Sequence, residues 1–154
     1  MHVGRLVEWK RVDLLIRAVE KLARDLRDVE LIVAGYGPEE ARLRALANEL
    51  GVEERVRFLG GVYDPMELGR VLLASSVYVL AGMGGLSIND AMCFGLPIVC
   101  SVCDGTEKIL VREGDDGNGA YFEAGDLGSL VDRIRFVVSD SDRRRRMGAR
   151  STEI

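Results

Sequence analysis

The strongest constraint on the fold of this chain is an alternation. Short, nearly continuous apolar runs are each followed by a stretch whose apolar residues recur every three or four positions. "HVGRLV" (2–7), "VELIVAG" (29–35), "RVRFLG" (55–60), "VYVLA" (77–81), "LPIVCS" (96–101) and "GAYFEA" (119–124) read as strands. Between them lie helical patterns. Residues 10–26 place Val12, Leu15, Ile16, Val19, Leu22 and Leu26 on one face, and residues 38–51 open at Pro38 and close at Gly51. Residues 64–75 start with Asp64 as cap and Pro65 behind it. Shorter helical patterns follow at 87–95 and 106–114, and a closing one spans 126–140. Apolar strands in regular alternation with helices predict an α/β fold: a doubly wound, Rossmann-like parallel sheet of about six strands, with helices on both faces.

The length of 154 residues suits one domain, 1–154. No apolar run approaches the roughly 18 residues of a membrane span. A net charge of −4 gives no general attraction to nucleic acid or anionic membrane. Met1 is followed at once by strand-like sequence with no leader, so the chain is expected to begin inside a larger protein, in a reducing, cytoplasmic setting. Cys100 and Cys103 form a C-x-x-C without a second Cys or His pair and, like Cys93, are expected to be plain buried or loop thiols. His2, the single histidine, is a strand residue without an assigned role.

In doubly wound folds ligands bind beyond the carboxyl ends of the strands. The segment "AGMGGLSINDAM" (81–92) follows the fourth strand and opens a helix there. Its glycines allow backbone N–H groups to approach a ligand or to adopt positive φ, and a helix start presents unpaired N–H groups suited to phosphate. Asp90 fits a neutral diol such as a ribose; equally, Ser87-Ile88-Asn89-Asp90 has the form of a capping box. "GYGPEE" (35–40) looks like a dinucleotide fingerprint with Glu40 in place of the third glycine, and the next strand ends "FLGG" without an acid, which argues against NAD. Arg5 and Lys10, at the end of the first strand and the start of the first helix, could grip a diphosphate or form a solvated surface pair. Arg143 to Arg146 are read as a solvated face of the closing helix, Asp140-Ser141-Asp142 as a turn rather than a metal-binding D-x-D, and "GDDGNG" (114–119) as turn chemistry. No metal site is expected.

Taken in order and spacing, these blocks resemble the C-terminal domain of the family-four retaining glycosyltransferases of the GT-B fold. The likeness runs through "VGRLVEWKRVDLLIRAVEKL", "LIVAGYGPEEARLRALANELGVEERVRFLGGV", "GLSINDAMCFGLPIVCS" and "GTEKILVREGDDGNGAYFEAGDLGSLVDRI" to the final "RRRRMGAR". The resemblance implies a nucleotide diphospho-sugar as donor substrate, with no metal or other cofactor required. It assigns Arg5 and Lys10 to the donor diphosphate and the catalytic step. Gly84, Gly85, Leu86 and Ser87 would contact phosphate or sugar, and Gly35, Tyr36, Gly37 and Leu59 would line the nucleoside pocket. Asp90 matches the second acid of the family's E-x7-E motif, the ribose ligand. Counting back eight positions gives Gly82 where many members carry glutamate, which puts the donor sugar in question. Either a backbone N–H of the Met83–Gly84 turn replaces that acid or the sugar differs.

The resemblance further implies that the acceptor site lies on an N-terminal domain outside these residues, through which the full-length enzyme could sit at a membrane surface. Hexosyl transfer in polysaccharide or glycolipid biosynthesis is the expected activity, with the isolated domain inactive in transfer. The alternatives are a nucleotide-sugar-binding module without turnover and another GT-B-like enzyme such as a sugar-nucleotide epimerase.

Overall fold

The computed structural model describes residues 1–103 and 105–154. Six strands are present: β1 His2–Val3, β2 Leu31–Ala34, β3 Val56–Gly60, β4 Tyr78–Leu80, β5 Ile98–Cys100 and β6 Gly119–Tyr121. They form two three-stranded parallel sheets, in the orders β1-β2-β3 and β4-β5-β6. The halves meet along β1 and β4, where the Met1 amine donates to the Val77 carbonyl at 2.8 Å and the Val79 N–H donates to the Met1 carbonyl at 2.9 Å. Read across, the strands run 3-2-1-4-5-6, and the direction of winding reverses between β1 and β4.

The helices are α1 Val12–Leu22, α2 Glu40–Glu49, α3 Pro65–Leu73, α4 Ser87–Cys93, α5 Glu107–Leu110, α6 Leu127–Val138 and α7 Ser141–Ser151. Two apolar cores flank the sheet. One joins Val12, Leu15, Ile16 and Val19 of α1 to Leu43 of α2 and to Leu130 and Ile134 of α6. The other joins Leu72 of α3 to Ile88, Ala91 and Met92 of α4. Every residue of β4 and β5 is buried, as strands covered on both faces must be.

Local chemistry explains most element ends. The Asp64 side chain accepts from the Met66 N–H at 3.0 Å with Pro65 at the first helical position, and Gly51 closes α2 at φ 66°. Three boundaries differ from the sequence expectation. β1 stops at Val3, because the Gly4 N–H makes the last ladder bond, to the Ala34 carbonyl at 2.9 Å, and the chain then leaves: Leu6 donates to the Tyr36 carbonyl and a 3-10 turn follows at Glu8–Lys10. α1 starts at Val12 rather than residue 10, because Arg11 sits in the left-handed region at φ 52°, its guanidinium held by Asp13 at 3.1 and 3.2 Å. The closing helix is two helices. Asp140 caps α7, accepting from the N–H groups of Asp142 at 3.0 Å and Arg143 at 2.9 Å, so Arg143 to Arg146 belong to α7. Its Gly148 lies so close to α4 that a Cβ would stand 2.2 Å from the Gly95 carbonyl oxygen.

Candidate functional site

The loops after β1, β2, β3 and β4 come together at the carboxyl edge of the sheet. The β1–α1 loop (4–11) and the β4–α4 loop (81–86) face each other across the reversal point, and Lys10 bridges them. Its ammonium donates to the Met83 carbonyl at 2.9 Å and to the Gly84 carbonyl, while the Met83 N–H donates to the Trp9 carbonyl at 2.9 Å. The two loops are thus stitched into one rim. Arg5 is exposed on the same rim; its carbonyl accepts from the Val7 N–H at 3.1 Å, but its guanidinium makes no hydrogen bond or ion pair with the described residues and is available to an anion.

The glycines of this rim owe their identity to room. A Cβ on Gly82 would stand 2.1 Å from the Trp9 carbonyl oxygen, and one on Gly85 would stand 3.2 Å from the Lys10 ammonium nitrogen. Neither glycine has a positive φ, so of the two uses of glycine it is close approach that this loop employs. The fit at Gly82 also explains the departure from the acidic motif: any side chain there would displace the Trp9 backbone. Of the N–H groups of the Met83–Gly84 turn, that of Met83 donates to the Trp9 carbonyl.

Gly35 and Gly37 admit backbone too. Cβ atoms there would lie 1.8 Å from the Gly4 carbonyl oxygen and 2.3 Å from that of Leu6. These glycines seat the β1–α1 loop against the β2–α2 loop, and Leu6 locks the two by donating to the Tyr36 carbonyl at 2.9 Å and accepting from the Glu39 N–H at 3.1 Å. Between them Tyr36 projects outward, 56 % exposed, with its ring 6.4 Å from that of Tyr63. Leu59 of β3 is exposed, and its neighbour Gly60 accepts from the Gly35 N–H at 2.7 Å.

At the start of α4 the capping-box alternative fails. Leu86 is the N-cap and makes no side-chain cap bond. The Ser87 hydroxyl turns inward, donating to the Val3 carbonyl at 3.0 Å and sharing a 2.7 Å bond with the Tyr78 hydroxyl. Burial pushes the Tyr78 phenol up to about 12, so this network stays neutral at any physiological pH. Asp90, one turn on, is exposed; its carbonyl accepts from the Phe94 N–H, but its carboxylate forms no hydrogen bond or ion pair with the described residues. Its carboxylate is not needed by the helix start. Leu86 itself is 83 % exposed.

The structure therefore gathers Lys10, Gly84 and Gly85 at one point and Gly35, Tyr36 and Gly37 at another, with Leu59 exposed on the strand whose Gly60 bonds Gly35. It gives Ser87 an internal partner and leaves Arg5 and Asp90 without one. Trp9 and Tyr63 carry no expectation from the sequence, although both are exposed on this edge; a lone tryptophan beside a candidate cation is the available signal. The three cysteines carry free thiols: Cys100 lies buried in β5, and Cys93 and Cys103 are exposed.

The same architecture occurs in known proteins. The lipopolysaccharide core biosynthesis glycosyltransferase LpsE of Rhizobium meliloti is 33% identical over 156 residues, covering 99% of this chain and 43% of that protein. TarM of S. aureus, whose crystal structure contains UDP, superposes at a TM-score of 0.90 with 22% identity, covering 99% of this chain and 30% of that one. Anabaena HepE, in complex with UDP and glucose, superposes at 0.84 with 27% identity over 99% of this chain and 41% of that one. The chain spans about two fifths of the length of the curated relatives it matches. With a match running from residue 1 to residue 154, the chain belongs to the family described as Glycosyl transferases group 1.

Proposed function

We propose that this domain is the donor-binding half of a retaining glycosyltransferase and binds a nucleoside diphospho-sugar at the β1–β4 reversal point. The observation that carries the reading is the pairing of two cations with a backbone turn at that point: Arg5 without a protein partner, and Lys10 held against the 83–84 carbonyls. A diphosphate arriving there meets both. A close cation–phosphate pair has a gross attraction of about 4 kcal/mol at an effective dielectric near 20, against roughly 0.3–2 kcal/mol for a helix start. The cations therefore supply most of the affinity.

The nucleoside extends toward Tyr36 and Leu59, with Asp90 accepting hydrogen bonds from the ribose hydroxyls. UDP in TarM and HepE supports the class of ligand. In transfer, the anomeric C–O bond breaks and negative charge develops on the leaving diphosphate. Arg5 and Lys10 stabilise that charge from fixed positions, without a metal ion. The acceptor is held by a further domain of a longer, cytoplasmic chain, and any attachment to a membrane surface belongs to that domain. Among the described residues no helix is long and apolar enough to cross a membrane.

The fit of Gly82 under Trp9 favours one second reading, binding of the nucleotide sugar without turnover, since the acid that would hold the donor sugar has no room. Titration of the domain with UDP, GDP and ADP, each with and without EDTA, tests the binding proposal. Product analysis by mass spectrometry with the parent enzyme separates transfer from binding alone. Heat of binding in EDTA for one of the three nucleotides is the expected result; binding that requires Mg²⁺ or Mn²⁺ would overturn the metal-free reading.

A further inference from the structure

The rim of the donor site carries the single tryptophan of the chain. Trp9 belongs to neither apolar core, is 57 % exposed, and its indole N–H makes no hydrogen bond with the described residues. Its backbone, by contrast, is held from several sides. The Lys10 N–H donates to the Val7 carbonyl at 3.0 Å, the Arg11 N–H to the Glu8 carbonyl at 3.0 Å, and the Met83 N–H to the Trp9 carbonyl at 2.9 Å. An exposed indole on a fixed backbone loses little conformational freedom when a ligand covers it. The facing β4–α4 loop adds exposed Met83 and Leu86, so a crevice that holds cations has apolar lips.

Two observations bear on what covers Trp9. It directly precedes Lys10, so its Cα lies about 3.8 Å from that of a cation facing the diphosphate. In a nucleoside diphospho-sugar the pyranose joins the outer phosphate through one oxygen, so the sugar is the part of the ligand that reaches this stretch of rim. Second, a Cβ on Gly82 would stand 2.1 Å from the Trp9 carbonyl oxygen. The β4–α4 loop therefore offers no carboxylate to sugar hydroxyls at that point, and the residue whose backbone fills the space is Trp9 itself. An indole face is apolar and electron-rich. A pyranose face that carries only C–H bonds is apolar and weakly positive, so the two stack.

We infer that Trp9 is the platform for the donor hexose and that it selects sugars whose C2 and C4 hydroxyls are both equatorial; the inference rests on the donor-site reading above. In an α-linked donor the diphosphate leaves from an axial position on one face of the ring. A retaining reaction brings the acceptor to that same face, which stays open. The platform takes the opposite face. In the gluco configuration that face carries axial C–H bonds at C2 and C4. The galacto configuration places the C4 hydroxyl on it, and the manno configuration the C2 hydroxyl. Either hydroxyl lifts the ring from the indole and gives up water without gaining a partner.

A single tryptophan gives the test its own probe. UDP, GDP and ADP are each compared with their glucose conjugates, with UDP-galactose and GDP-mannose as the epimers, by calorimetry and by Trp9 emission. For the nucleotide that binds, the glucose conjugate should bind about tenfold more tightly than the free diphosphate and than its epimer. It should also move the Trp9 emission to shorter wavelength as water leaves the indole. Trp9→Ala should abolish that gain and leave the affinity for the free diphosphate within about twofold. Trp9→Tyr, which keeps an aromatic face, should keep most of it. Both variants should melt with the parent protein, since Trp9 lies outside both cores. No preference for the glucose conjugate, a preference that survives Trp9→Ala, or a loss in Trp9→Ala that the free diphosphates share would overturn the inference and leave the donor-site reading standing. If no diphosphate binds the folded protein, the donor-site reading falls and this inference falls with it.

Discussion

The ammonium of Lys10 lies 2.9 Å from the Met83 carbonyl oxygen, across the crevice where the two halves of the sheet part. Lys10 is therefore both a candidate phosphate ligand and the tie that holds the β4–α4 loop, whereas Arg5, on the same rim, holds nothing. The two cations should fail differently. Arg5→Ala should leave the unfolding midpoint within error and weaken nucleoside diphosphate binding, with a flatter salt dependence because a screened charge pair is gone. Lys10→Met should weaken binding and also lower stability by about 1.5–3 kcal/mol, the range for hydrogen bonds made by a charged group. Titration calorimetry at two salt concentrations, beside thermal melts, checks both. Equal loss of stability in the two variants would refute the division of roles.

Gly82→Glu restores the acidic pattern on paper but should do harm. Its Cβ would stand 2.1 Å from the Trp9 carbonyl oxygen, so the Trp9–Lys10 backbone must move and take the Lys10 ammonium with it. A stability loss of about 1–3 kcal/mol is expected, the usual cost of overpacking, together with weaker nucleotide binding. Gly82→Ala should show most of the same loss, since the conflict begins at Cβ. Chemical denaturation of the two variants makes the comparison.

Much of this was legible in the sequence, and the exceptions share a cause. Continuous apolar runs announced β4 and β5, and the spacing of Val12, Leu15, Ile16 and Val19 announced α1, because burial in a two-faced sheet leaves a local pattern. The break between α6 and α7 was obscured because Asp140-Ser141-Asp142 reads equally as a turn or a cap, and the polar run after it has little apolar periodicity. The end of β1 was set by tertiary contacts, Leu6 with Tyr36 and Met83 with Trp9, which no local window contains. The same holds for the site. The glycines marked a close approach, but what approaches Gly35, Gly37 and Gly82 is a neighbouring loop of the same chain. The indifference of α4 to Asp90 likewise depended on where Ser87 turned.

Asp90→Asn should be silent in stability, within about 0.5 kcal/mol, because the carboxylate caps nothing. It should erase most of any preference for ribonucleotides over 2′-deoxyribonucleotides and leave the salt dependence of binding unchanged. Paired titrations with a ribo- and a deoxyribonucleoside diphosphate measure this; intact discrimination in the variant would remove Asp90 from the site.

Stability should decline on acidification well before the carboxylates titrate. His2 is fully buried, its Nε2 has no partner among the described residues, and burial pulls its pKa from 6.5 to about 4. Between those values the unfolded chain binds a proton that the folded one refuses. Stability is thus full above pH 6.5 and falls by about 3 kcal/mol as the pH drops toward 4. Urea titrations across pH 8 to 4.5 should show this slope, and His2→Gln should flatten the part below pH 6.5.

The most direct test of the account is calorimetric titration of the domain with UDP, GDP and ADP in EDTA, repeated with Arg5→Ala. The account predicts saturable, metal-independent binding of at least one nucleoside diphosphate, weakened at least about tenfold, or 1.4 kcal/mol, when Arg5 is removed. Binding that Arg5→Ala leaves unchanged, or the absence of binding to all three nucleotides by a folded domain, would contradict it.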